Sequence, residues 1–177
     1  ENANDLIYTH DLKGNITSLN RAGERITGYS RDEAGEVNIV DVIAPEYQES
    51  AHAMIVRRVA GEAPAPFEVE IIAKQGHRVR LELSTRLMTR DGKPIGIQGL
   101  GRDITARSRA EASLRETLSL FETTFESTAD GIVVMGLDKQ IVTCNTKFVE
   151  MWGIDQDIID RKDGSALVYH IAGELVN

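Results

Sequence analysis

The sequence predicts an α+β protein: a five-stranded antiparallel sheet with helices on one face, followed by a connector helix and a partial second copy of the same unit. Three observations carry that prediction. Short segments alternate apolar and polar residues. The 177-residue chain matches itself at a fixed offset of 125 positions. Between the two copies lies a run of about 20 residues with neither Pro nor Gly, which reads as one helix.

The repeat is the most informative of these. Asp5, Ile7, Leu12, Ile16, Asn20 and Gly28 meet Asp130, Ile132, Leu137, Ile141, Asn145 and Gly153 without a gap, and Tyr8/Val133 and Ile26/Met151 keep apolar character. Each copy opens with a short apolar run, a polar turn and a second apolar run, the pattern of a strand hairpin. In the first copy the turn carries Gly14, suited to the positive φ of a tight hairpin. After Asn20 and Asn145 the period becomes helical, with Asn as N-cap and Gly28 or Gly153 as C-cap.

From Asn38 to Gly61 the first copy reads as helices. Pro45 fits a first helical turn, and His52, Ile55, Val56 and Val59 recur at i, i+3, i+4 and i+7 as one apolar stripe. Strand character then returns. Phe67, Val69 and Ile71 alternate with glutamates, Val79, Leu81 and Leu83 alternate with polar residues, and Gln75-Gly76 and Asp91-Gly92 mark hairpins. Pro94 to Ile104 supplies the last strand. The expected division is a first domain over 1–105, a connector over 106–126 and half of a second domain over 127–177. In the connector Leu114, Leu118, Phe121 and Phe125 are spaced 4, 3, 4, the rhythm of a short coiled-coil seam, which predicts a homodimer.

Composition narrows the function. With 41% hydrophobic and 27% charged residues and only 4 Pro, the chain belongs with globular proteins. A net charge of −8 with scattered Lys and Arg argues against a nucleic-acid partner. The single cysteine, Cys144, builds neither an internal disulfide nor a thiolate metal site, so a cytoplasmic location is expected. No apolar run approaches the roughly 20 residues that span a bilayer, and no signal peptide precedes Glu1; any membrane anchor of a parent protein is expected outside this segment. No nucleophile elbow, phosphate loop or metal-spaced His/Cys set is present, so no catalytic residue is expected.

Asp11-Leu12-Lys13-Gly14-Asn15-Ile16 through Asn20, Gly28-Tyr29-Ser30, Lys74-Gln75-Gly76, and Gly101-Arg102-Asp103-Ile104-Thr105 running into Ala-Arg-Ser-Arg-Ala-Glu resemble the PAS family, in the tandem form found in bacterial and archaeal sensor histidine kinases and related signalling proteins. The resemblance covers residues 5–105 fully and 127–177 as the opening of a second copy, without the family's last three strands.

The resemblance implies a sensory input module for a downstream kinase or other output domain. It implies a cavity for an unknown small ligand between the sheet and the long helix, with Tyr8, His52, Ile55, Val56, Val59, Phe67, Val69, Leu81, Leu83 and Ile97 as candidate lining. The signal would leave through the C-terminal helix. Asp103 and Thr105, at that junction, are the candidate coupling residues, with Thr105 suited to N-cap the helix. Two alternatives stay open beside ligand sensing. In one, the domain is a ligand-free dimerisation module. In the other, His52 holds haem, because it matches the position of the axial histidine in haem-binding members and Arg58 matches their propionate-binding base. Phe67, which stands where those members carry a distal Arg, favours a core histidine and no cofactor. The flavin photoreceptor chemistry of other relatives is excluded, since Cys144 lies on a strand rather than in a Gly-x-Asn-Cys helix start.

Overall fold

The computed structural model describes residues 4–62 and 65–174. The chain forms two compact units that part between Glu111 and Ala112.

The first unit holds β1 (Leu6–His10), β2 (Ile16–Leu19), α1 (Arg21–Thr27), α2 (Arg31–Ala34), α3 (Ile39–Val42), α4 (Pro45–Val59), β3 (Phe67–Ile72), β4 (Arg78–Arg90) and β5 (Lys93–Asp103). The strands make one antiparallel sheet in the order β2-β1-β5-β4-β3, so the first strand and the last lie side by side at its centre. The expected five-stranded α+β architecture, with two strands, helices and three strands along the chain, is what the structure shows. The alternation read from the sequence sets which face is buried: Leu6 and Tyr8 from β1, Val69 and Ile71 from β3, and Val79, Leu81 and Leu83 from β4 share one core with Ile39, Val42, Ile43 and Ala51 of the helical segment. Burial of such a side chain contributes about 1.5–3 kcal/mol. At the Asp91-Gly92 hairpin both residues take positive φ, 52° and 75°, the pairing that matches the natural twist of the two strands.

Local capping holds the helical segment. Ser30 and Glu33 form a reciprocal capping box at α2. Glu33 also meets Lys74 of the β3–β4 turn at 2.6 Å, and these hydrogen bonds lower its carboxyl from 4.5 to about 2.

The second unit contains most of α5 (Thr105–Ser127), then β6 (Val133–Met135), β7 (Ile141–Cys144), α6 (Thr146–Trp152), α7 (Gln156–Asp160) and α8 (Gly164–Glu174). Among the described residues these two strands form a two-stranded sheet of their own. Ile141, Phe148, Ile154 and Leu167 form its core, and Cys144 packs against them as a small apolar residue whose thiol burial pushes up.

One corner is built identically in both units. The Asn20 carboxamide accepts the Ile7 and Gly23 N–H groups and donates to the Asp5 carbonyl. The Asn145 carboxamide accepts from Ile132 and Phe148 and donates to Asp130, each partner 125 positions on, and donates besides to the Phe125 carbonyl of α5. The likeness runs further than the sequence match: the isolated bridges Asn15–Asn38 and Gln140–Asp163 keep the same offset. Lys139, at φ 63°, stands where the first copy uses Gly14 at φ 89°.

Candidate functional site

The inner face of the first sheet carries a small, partly open cavity of about 40 Å³, lined by apolar side chains that include Leu6, Tyr8, Ile39, Ile43, Ile71 and Leu83. Its floor is the sheet; its roof is the one-turn α3 and the chain around Thr27 and Tyr29. Tyr8 is 5% exposed, and its ring lies along the sheet above Gly99, where a Cβ would sit 2.6 Å from the Tyr8 hydroxyl. His10 stacks against that ring at 6.1 Å between centroids. Burial pushes the Tyr8 phenol up to about 12, so it stays protonated at any ordinary pH.

Of the ten candidate lining residues, the cavity brings together Tyr8 and Leu83. Val69, Leu81 and Ile97 are buried in the sheet's inner layer beside it, and Phe67 packs half-buried against the core. The stripe on α4 is a correction. His52 is solvent-facing, Val56 and Val59 are 53% and 41% exposed, and Ile55 is half-buried. The physical reason is phase: α4 turns Tyr47, Ala51, Met54 and Arg58 inward, and the small Ala51, 3% exposed, lets the helix approach the sheet closely. The 4, 3, 4 spacing of those residues was available as a signal, but polar Arg58 concealed it. The roof residues of α3 escaped because four residues are too few to show a helical period.

These residues do not fit haem. His52 faces away from the cavity, Arg58 donates instead to Thr85 at 3.2 Å, and the cavity is far below the roughly 300 Å³ at which ligand pockets begin. Among the described residues no cluster of His, Cys, Asp and Glu could hold a metal ion, and no helix is long and apolar enough to cross a membrane.

The joint between sheet and α5 is the second feature. Asp103 accepts the Thr105 N–H at 2.8 Å, so Asp103 caps the helix start. Thr105 does not cap as expected: its hydroxyl accepts the Arg80 N–H of β4 at 2.8 Å. The cause is the end of the β4–β5 ladder, whose last pair is Leu81–Asp103. Beyond it the Ile104 N–H still reaches the Arg80 carbonyl, but the chain has turned into helix, and the Thr105 hydroxyl replaces the missing strand acceptor. Arg80 extends the clasp by donating to the Ser108 hydroxyl at 3.0 Å while pairing with Glu68 of β3. Nothing in the sequence marked Arg80 for this role, since its partner lies 25 residues away.

On α5 the expected seam stands open. Leu114, Leu118 and Phe121 are 61%, 53% and 58% exposed, and the Phe121 and half-buried Phe125 rings stack at 5.6 Å.

Profiles of two families, the PAS fold and the PAS domain, match residues 1–104 and 119–174. The chain belongs to the PAS family. The methyl sulfide methyltransferase-associated sensor of Methanosarcina acetivorans is 29% identical over 116 residues, which is 65% of this chain and 11% of that protein. The aerobic respiration control sensor protein of Escherichia coli is 27% identical over 176 residues, 88% of this chain and 22% of its own length. The PAS domain of a Colwellia psychrerythraea protein superposes with a TM-score of 0.54 at 25% identity, covering 58% of this chain and 87% of that one. The chain thus spans a small part of the curated relatives. PAS units are sensory rather than catalytic, and this tandem is a sensory input module.

Proposed function

We propose that this PAS segment feeds a sensor histidine kinase, or a related signalling protein, in the cytoplasm. Residues 1–105 act as the sensory domain, 106–126 as the connector, and 127–177 as the opening of a second domain. The observation that carries the reading is the clasp at the start of α5. Arg80 sits on β4, whose inward side chains include Leu83 of the cavity wall, and it bonds both Thr105 and Ser108. A shift of the sheet under a ligand therefore moves the first turn of the helix with it, as coupling through a contiguous hydrogen-bonded element requires. Residues 1–127 fused in register to a histidine-kinase core provide the test. Thr105→Val leaves the Arg80 N–H without its acceptor and is expected to abolish the signal response while lowering stability by about 1–2 kcal/mol. Full response in Thr105→Val, with the domain folded, overturns the coupling role.

A ligand-free dimerisation module is the second reading, favoured by a cavity of only about 40 Å³. Both readings use α5 as a parallel homodimer seam, because Leu114, Leu118 and Phe121 gain cover from a second copy. The double substitution Leu118→Asp, Phe121→Asp is expected to convert the dimer to monomer in light scattering. A monomeric parent chain at high micromolar concentration contradicts the seam.

A further inference from the structure

The cleft between β4 and the first turn of α5 carries more positive charge than the clasp uses. It holds about 230 Å³ and is lined by Glu70, Arg78, Arg80, Thr105, Ser108 and Arg109, three arginines to one carboxylate. Arg109 is exposed, and among the described residues it has neither a hydrogen bond nor an ion pair. Arg78 bonds Glu46 and, at 3.0 Å, Glu70, both through Nη1, so among the described residues its Nε and Nη2 donors are spare. Charges more than about 10 Å away are screened at 0.1 M salt, so these near neighbours outweigh the net charge of −8 on the whole chain.

Arg80 adds an independent observation. Its Nη1 donates to Ser108 and its Nη2 pairs with Glu68 at 3.0 Å, but its Nε is buried with no hydrogen-bond partner among the described residues. An orphaned donor on a charged group is costly. The register sets an acceptor directly opposite: Glu70 pairs with Arg80 across the β3–β4 ladder, and residues so opposed share one face with Cβ atoms about 4.5–5.5 Å apart. Yet the Glu70 carboxylate is turned to Arg78. Arg78 holds a carboxylate that Arg80 lacks.

We propose that this cleft binds a small tetrahedral oxyanion of the phosphate class, gripped by Arg78 and Arg109, and that Glu70 is the internal stand-in it displaces toward Arg80 Nε. Each guanidinium fork takes a pair of oxygens, and a tetrahedral anion offers a pair to both forks where a carboxylate has one pair only. Glu70 gives way at little cost because Arg80 receives it, while Glu46 and Glu68 each keep an arginine. The volume is below the roughly 300 Å³ at which organic ligand pockets begin, but it exceeds several waters at about 30 Å³ each. Held between Arg78 of the sheet and Arg109 of α5, the anion ties the two elements a second time beside the Thr105–Arg80 bond. The site is independent of the apolar cavity.

Inorganic phosphate titrated into the whole chain at constant ionic strength, followed by heteronuclear NMR, is expected to shift the Arg78, Arg80, Ser108 and Arg109 amides together, with acetate about tenfold weaker. Arg109→Gln is expected to weaken phosphate about tenfold, while Arg115→Gln, at an exposed position further along α5, leaves it unchanged. On binding, the Arg80 Nε–H signal moves downfield as Glu70 arrives; in Glu70→Ala phosphate binds more tightly and that move is absent. Free phosphate and a phosphate monoester share this chemistry. Methyl phosphate bound as tightly as phosphate identifies the monoester as a ligand the cleft accepts, methyl phosphate bound about tenfold more weakly identifies the free anion, and both results uphold the site. Equal phosphate binding in the parent and Arg109→Gln, acetate as tight as phosphate, or no shifts at high millimolar phosphate overturns the site. A downfield move retained in Glu70→Ala overturns the displacement of Glu70.

Discussion

Asn145→Ala is expected to unfold the second unit and leave the first intact. The side chain is fully buried and makes four hydrogen bonds, all to main-chain groups: Ile132 and Phe148 donate to it, and Asp130 and Phe125 accept from it. Alanine leaves these groups unpaired in a place water reaches poorly. At about 1–3 kcal/mol for each buried orphan, with partial relief by water, the loss comes to about 3–5 kcal/mol. The unit has little to set against it, since its core holds four buried side chains and a two-stranded sheet. The corresponding Asn20→Ala change is milder in proportion, because five strands and a larger core remain around it. Circular dichroism should show an early transition for Asn145→Ala, and amide exchange should place it within residues 131–171. An unshifted melting profile would show that water replaces the carboxamide.

Gly99→Val is expected to cost the first unit about 3 kcal/mol, the upper range for overfilling a packed core. The glycine pairs with Tyr8 in the β1–β5 ladder, and the Tyr8 ring occupies the space that a side chain at 99 would need. The ring cannot swing clear: Tyr8 is 5% exposed and stacks on His10, itself 3% exposed. If this geometry is the cause, Tyr8→Ala relieves it, and the double mutant is more stable than the sum of the single changes allows. Urea unfolding of the four proteins measures the coupling. An equal cost of Gly99→Val beside Tyr8 and beside Ala at that position would show that the ring is not the obstacle.

The frame of the fold was legible because its signals are local or periodic. Phe67 to Ile71 and Val79 to Leu83 alternate strictly, Asn20 and Asn145 announce helix starts, and Gly28 and Gly153 take the left-handed conformation expected of them, at φ 76° and 55°. The site was less legible, for three physical reasons. The phase of α4 depends on which face meets the sheet, and the choice fell to Ala51, whose small size reads weakly in a hydrophobic pattern. The cavity roof uses a helix, α3, too short to have a period. The clasp joins Thr105 to Arg80 through a main-chain N–H, a group that every residue but proline possesses and that no motif distinguishes.

The carboxamide corner shared by the two units bears on how such a tandem diverges. A side chain whose partners are all backbone groups makes no demand on the identity of its neighbours, only on the path of the chain. Gly23 in one unit and Phe148 in the other offer the same N–H to the same oxygen although their side chains have nothing in common. Residues around the corner are therefore free to drift, one unit toward a cavity and the other toward a different packing, without either losing the bend that lets strand lead into helix. A duplicated module anchored in this way can change almost every side chain it displays and still be built on the same plan.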